Sequence, residues 1–313
     1  MTAPRWRREA ALAATYLANL AILAARAPGF FRAENARALL GAAAPGAVAA
    51  MGMTLVILCR QIDISIGAQA GLCAVAAGLL ARSGWPMALV GLATVALGAA
   101  LGAINGALVA GGKLPSIVAT LATGVIGRES LRWWREGEAV RDLPPGFQWF
   151  GLGQAAGRWA IVLASAVVVA AVAVWLRWLA AGRSVYAVGS DAEAARLAGL
   201  RPDRVVFGSF VALGAASALY ALLTAVQLPV VDPKTGQGLE LQTIAAVVVG
   251  GVAVAGGRGA PLGVALGVVL LATIGPALTF LGTSATWGKA VEGGIILLAV
   301  ASDRVGRPGG RPR

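Results

Sequence analysis

The run RQIDISIG, residues 60–67, sets the carboxylate of Asp63 and the hydroxyl of Ser65 inside a long apolar region. A charged side chain at the centre of a bilayer costs about 2.5–3.5 kcal/mol on insertion scales. Asp63 therefore needs a reason to be there. Either Asp63 or Ser65 caps the helix that follows a break at residues 62–67, or the pair lines a polar path through the membrane. Both can hold, because irregular backbone at membrane depth is tolerated beside a cavity. Arg60 and Gln61 would then mark the cytoplasmic entrance. Asn105, Thr120, Thr123, Gln227, Gln242 and Thr243 are neutral polar groups within or beside other apolar runs. Amides and hydroxyls suit a neutral, hydroxyl-rich ligand, although interhelical hydrogen bonding is their commoner use. The path candidates are Asp63, Ser65, Asn105, Thr120, Gln227 and Gln242. Lys289 and Glu292 stand three residues apart in the last run and pair across one helical face.

Other chemistries are excluded by what the chain lacks. It contains no histidine, which removes Ser–His triads and histidine proton relays. Cys59 and Cys73 sit in apolar surroundings without ligands at metal spacing and read as small buried hydrophobes. No metal site and no cofactor is expected. A phosphate-cradling G-x-x-x-x-G-K-[ST] run is missing; Gly288–Lys289 is followed by Ala290. The chain carries no ATPase site and no covalent catalysis.

These groups must be positioned by membrane helices. Of the 313 residues, 58% are hydrophobic and 13% charged, against roughly 25% charged in a soluble domain. The apolar residues come in runs near the ~20 residues that a bilayer requires. Ten spans are predicted, at 10–25, 38–59, 64–81, 86–109, 115–132, 159–180, 205–227, 241–257, 260–281 and 286–302. The first is read as uncleaved. The expectation is an all-α polytopic integral membrane protein, a single transmembrane domain over 1–313 with discontinuous helices. The net charge of +12 sits mostly between the runs and at the termini. That distribution speaks for orientation in a bilayer and against nucleic acid. Ten spans put both termini and the loop at 181–204 in the cytoplasm, each rich in arginine, while Arg26, Arg32 and Arg37 fall outside, offset only by Glu34.

On the external side, residues 132–158 carry Trp133, Trp134, Phe147, Trp149 and Phe150 with nearly balanced charge, as suits an interfacial segment. The loop at 228–240 holds Asp232, Pro233, Lys234, Gln237 and Glu240. Trp149, Asp232, Lys234 and Glu240 are candidate contacts for an external partner. No internal repeat is strong enough to count.

The cytoplasmic loop contains SDAEAARLAGLRPDRV, residues 190–205. Ser190 and Glu193 form an S-x-x-E capping box, Gly199 ends a helix in the left-handed conformation, and Pro202 blocks its continuation. The predicted helix has about two turns, roughly 12 Å at 1.5 Å per residue. Ala194, Leu197 and Ala198 share one face. A helix this short is marginal in water and needs a surface to lie on.

Within that loop, Glu193-Ala194-Ala195 followed after three residues by Gly199 resembles the EAA-x-x-x-G pattern of ABC importer permeases. The blocks GRSVYAVGSDAEAARLAGL (182–200), IDISIG (62–67), GQGLELQTIAAVVVGGVAVAGGRG (236–259) and WGKAVEGGIILLAV (287–300) are similar to those of the ribose/xylose/rhamnose-type permeases. They occur in family order and are spread along the chain from residue 62 to residue 300. The resemblance implies a type II-like importer permease that couples to an ATPase through Glu193, Ala194, Ala195, Arg196, Leu197 and Gly199. It also implies a second permease subunit, identical or not, an ABC ATPase, a periplasmic sugar-binding protein and a bacterial inner membrane. The expected function is import of a monosaccharide, with a lean toward rhamnose. An ion-coupled secondary sugar carrier is the alternative, and a membrane scaffold or intramembrane enzyme the remaining rival.

Overall fold

The computed structural model describes residues 23–283 continuously, with Leu17, Ala21 and scattered positions between 287 and 297. The predicted first and last spans, and the Lys289–Glu292 pair, lie largely outside the described residues. The helices in chain order are α1 (Ala33–Leu58), α2 (Ile66–Arg82), α3 (Met87–Gly106), α4 (Ser116–Arg135), α5 (Gln154–Trp178), α6 (Ala180–Ser190), α7 (Ala192–Leu197), α8 (Pro202–Ala225), α9 (Leu239–Val249) and α10 (Pro261–Phe280). Among the described residues the only strand-like pairing is an isolated bridge between Val140 and Val231. Prolines mark several starts: Pro86 and Pro115 precede α3 and α4, and Pro202 and Pro261 open α8 and α10. The missing N–H costs nothing there, because the first turn leaves its N–H groups unpaired anyway.

Among the described residues five helices are long and apolar enough to cross a membrane: α1, α3 with its π-helical extension Ala107–Gly111, α5, α8 and α10. The protein is thus an all-α membrane protein, but ten membrane-length helices are not seen among the described residues. Two reasons are local. The run at 115–132 forms α4, whose end carries Arg128, Glu129, Arg132 and Arg135. The run predicted to span 241–257 stays helical only to Val249. Gly250 and Gly251 end α9, and residues 250–260 run irregularly, with Gly251, Gly256 and Gly257 all at positive φ.

α8 lies at the centre and packs on α3, α1 and α2. Its contact with α3 is close because glycines recur every fourth residue. Gly98, Gly102 and Gly106 face Gly214, Phe210 and Phe207. A Cβ at Gly102 would stand 3.0 Å from the Phe210 carbonyl carbon and 3.1 Å from the Gly214 Cα. In lipid, where burial of apolar surface does not drive association, such close backbone approach is what holds helices together. α1 is the most enclosed of the long helices, and α3 and α5 are the least.

A second glycine-lined groove takes a non-helical segment. Residues 231–236 lie along α2. Val231 reaches Gly78, the carbonyls of Pro233 and Thr235 stand 3.1 Å from the Cβ position of Gly71, and Gly236 abuts Gly67. From Gly78 back to Gly67 the descent is about 16 Å at 1.5 Å per residue. The segment expected as an external loop at 228–240, a gate or partner contact or simply solvated, therefore packs into the bundle along α2. Its short antiparallel bridge to Val140 ties it to the 132–158 segment, where Phe147 is fully buried and Trp149 N donates to Val226 O at 2.7 Å.

Candidate functional site

The polar groups of the 62–67 break close into one buried cluster. Asp63, Ser65, Gln69, Asn105 and Thr120 are each at most 4% exposed. Ser65 donates to Asp63 Oδ1 through its N–H at 2.7 Å and its hydroxyl at 2.6 Å. Asn105 Nδ2 donates to Asp63 Oδ2 at 3.1 Å and to Ser65 Oγ at 2.7 Å. Gln69 Nε2 donates to Ser65 Oγ at 2.7 Å and more weakly to Asp63 Oδ2 at 3.4 Å. Thr123 Oγ1 donates to Asn105 Oδ1 at 2.8 Å.

The cluster solves a backbone problem. Where the chain leaves α1 and has not yet begun α2, its N–H groups have no helical partner, and in lipid each orphan is costly. Ser116 Oγ accepts from Ile62 N at 3.2 Å, Thr120 Oγ1 from Ile64 N at 3.0 Å, and Asp63 from Ser65 N. Ser116, Thr120 and Thr123 recur at i, i+4 and i+7 on α4, so one helical face serves two N–H groups of the break and holds Asn105. The cluster joins α2, α3 and α4. Gln227 and Gln242 are not part of it. Gln227 donates to Leu223 O at 2.9 Å and lines a cavity of about 210 Å³ with Ala42, Pro45, Tyr220, Thr224 and Leu228. Gln242 is exposed on α9.

Gln69 and Ser116 were missed from the sequence, although Gln69 stands four residues after Ser65, on the same face of α2. A second missed contact is the ion pair of Arg128 on α4 with Glu240 on α9, at 3.6 Å. Glu240 lies against Gly67 and is only 18% exposed, so it is turned inward. Trp149 is also half-buried, whereas Asp232 and Lys234 are exposed.

The second site is α7. Its N-cap is Asp191, whose carboxylate accepts from Glu193 N at 2.9 Å and Ala194 N at 3.0 Å. The expected cap, Ser190, instead ends α6; the cap lies one residue later, and the expected S-x-x-E box is not formed, since Glu193 pairs with Arg196. Asp191 has the extended backbone that a cap needs, and its charge suits the helix N-terminus. Gly199, at φ +86, closes α7 with the two bonds of a Schellman turn, Gly199 N to Arg196 O at 2.9 Å and Leu200 N to Ala195 O at 3.0 Å. Ala195 is buried against the bundle, while Ala194, Leu197 and Ala198 are exposed, Leu197 to 83%. Glu193 and Arg196 pair at 2.6 Å on the exposed side. Exposed pairs of this kind add little stability. The outer face of α7 is thus apolar at its centre and charged at its edge.

No group of three or more potential metal ligands occurs among the described residues. The fold and these two sites describe a helical membrane protein with one short, exposed helix, capped at both ends, between α6 and α8. The profile of the family described as branched-chain amino acid transport system / permease component matches residues 35–300. The autoinducer 2 import system permease protein LsrC of Shigella flexneri is 38% identical over 251 residues, covering 80% of this chain and 73% of that protein. The LsrC of Escherichia coli (strain K12 / DH10B) matches equally, and that of Salmonella paratyphi B is 36% identical over 251 residues, 80% of this chain and 72% of its own. No solved structure matches. The chain belongs to this permease family, which includes the ribose- and xylose-type ABC permeases that its sequence blocks resemble. It is a transport subunit without an ATPase site. Membership implies a multi-pass inner-membrane location and work with an ATPase and a periplasmic binding protein.

Proposed function

We propose that this chain passes a small, neutral, polyhydroxylated ligand of monosaccharide size across the inner membrane. The binding protein delivers the ligand outside, and the ATPase drives the cycle through α7. The observation that carries the reading is the exposed apolar centre of α7, capped at both ends and seated on the bundle by Ala195. Rhamnose, ribose and xylose are the substrates favoured by the sequence blocks, and autoinducer 2 is the one named for the relatives. The permease works as a pair, with an identical or a related subunit, and both termini and the 181–204 loop face the cytoplasm. Asp232 and Lys234 offer the binding protein an exposed contact, which Trp149 and Glu240 do not. Ligand contact falls to groups with an open face, Gln227 on its cavity and Gln242 on α9. Asp63, Ser65, Asn105 and Thr120 hold the broken segment beneath them.

The test is uptake into proteoliposomes holding the permease with its cognate ATPase and binding protein, supplied with labelled rhamnose, ribose, xylose or autoinducer 2. ATP-dependent uptake of one of the four is expected. Uptake driven by a proton or sodium gradient without the ATPase would sink the importer reading and restore the ion-coupled carrier.

The docking role of α7 gives a separate expectation. Gly199→Asp strains the left-handed turn, and Glu193→Arg reverses the charge beside Leu197. Each is expected to insert normally but to lower ATP-driven uptake by about tenfold, within the usual range of coupling energies. Parent-level uptake together with normal capture of the ATPase by both variants would remove α7 from the coupling path.

A further inference from the structure

We infer that Arg60 is the positioning residue through which movement of α7 reaches the 61–65 break and α2; the inference rests on the proposed coupling role of α7. α1 ends in a Schellman turn, with Arg60 N bonded to Ile57 O at 2.9 Å and Gln61 N to Val56 O at 3.0 Å. Arg60 occupies the left-handed position of that turn at φ +62. Glycine is the usual residue there, because a side chain meets the backbone. A residue kept against that preference points to work done by its side chain.

The side chain leaves the turn and crosses to α6. Arg60 Nε donates to Gly189 O at 2.6 Å, and Nη2 donates to Ser190 O. These are the last carbonyls of α6, which no helical N–H serves, and a cation is favoured at that end of the dipole. Ser190 is followed directly by Asp191, the cap of α7. The same junction is closed from a third side. Gly257 N donates to Leu58 O at 2.9 Å, and Gly256 lies against the Arg60 side chain. Gly189 abuts Leu58 O so closely that no Cβ fits.

A continuous physical chain results. α7 is joined to Ser190 by its cap residue. Ser190 and Gly189 are held by the Arg60 guanidinium. Arg60 lies three residues before Asp63, whose cluster fixes the start of α2 and joins α3 and α4. A shift of α7 against the ATPase therefore pulls on the break by way of Arg60. The planar fork of arginine can hold two carbonyls at once; a lysine ammonium is a single point charge on a flexible stem.

The test uses the reconstituted importer and whichever of rhamnose, ribose, xylose or autoinducer 2 the parent takes up. Arg60→Gly preserves the left-handed turn and deletes the link, so it separates folding from coupling. Arg60→Gly is expected to keep its thermal midpoint in detergent, its capture of the ATPase and its basal ATP hydrolysis. Ligand moved per ATP should fall by about tenfold, with Arg60→Lys between the two. Transport per ATP within about twofold of the parent overturns the inference. So does loss of folding or of ATPase capture in Arg60→Gly, which would make Arg60 a structural clamp. Failure of the importer reading looks different: the parent itself shows no ATP-dependent uptake, and the inference falls with it.

Discussion

Asp63→Ala is expected to abolish uptake and to lower the thermal midpoint of the detergent-solubilised permease. The side chain accepts from Ser65 N, Ser65 Oγ, Asn105 Nδ2 and Gln69 Nε2, all in a site closed to solvent. Each buried donor left without a partner costs about 1–3 kcal/mol. Ser65 N has no substitute acceptor inside the break, so α2 loses its start as well. Asp63→Asn behaves differently. Its amide oxygen can keep the Ser65 bonds, and its NH₂, in place of Oδ2, can meet Gln69 Oε1, a buried oxygen without a partner in the present arrangement, once the Gln69 amide turns over; Asn105 Nδ2 then loses its Asp63 acceptor and keeps Ser65 Oγ. Near-parent uptake is therefore expected for Asp63→Asn. Uptake and thermal melts of both variants provide the check. A collapse in Asp63→Asn with an unchanged melt would assign the carboxylate to the ligand path instead, and a parent-like Asp63→Ala would dismiss the cluster altogether.

Gly102→Leu is expected to leave no folded permease. The Cβ of any side chain at Gly102 would meet main chain of α8, the Phe210 carbonyl and the Gly214 Cα. Neither can rotate away, so the two helices must separate. Overpacking a core usually costs about 1–3 kcal/mol and sometimes more. Here the strain adds to the loss of the most extensive helix contact among the described residues, because Gly98 and Gly106 face α8 in the same way. Gly91→Ala is the control on the same helix: its Cβ would meet only Leu222 Cδ2, at the ordinary distance of 3.6 Å. Size-exclusion profiles of the solubilised proteins separate the two. A monodisperse peak for Gly102→Leu at the parent's yield would mean that α3 and α8 do not pack in this register.

Much of this was legible beforehand, and the limits are instructive. Asp63 stands out in the sequence because a lone carboxylate in an apolar run has few excuses, and Ser65, Asn105 and Thr120 stand out as polar residues in apolar runs. Gln69 and Ser116 do not stand out in the sequence, because polar residues near the ends of apolar runs look like ordinary boundaries. Gln227 and Gln242 were grouped with the others on residue type alone, yet the bundle keeps them apart from the cluster. In the sequence Arg60 looks like an entrance marker. Its real partners, Gly189 and Ser190, lie some 130 residues away, and main-chain acceptors leave no mark in sequence. Arg128 and Glu240 were overlooked as a pair for the same reason of distance along the chain.

Composition and run length by themselves determined that the chain is a helical membrane protein, because lipid offers no partners to backbone groups and helices are the local solution. Cap residues and glycines likewise placed the short helix before Pro202, since capping acts within a few residues. The permease family was also legible, in blocks of contiguous sequence. Only the tertiary structure decided which helices touch, that residues 231–236 sink along the glycines of α2, and that Arg60 holds the end of α6. Those outcomes depend on shape matching between segments far apart in the chain. A single sequence records each surface but not its partner.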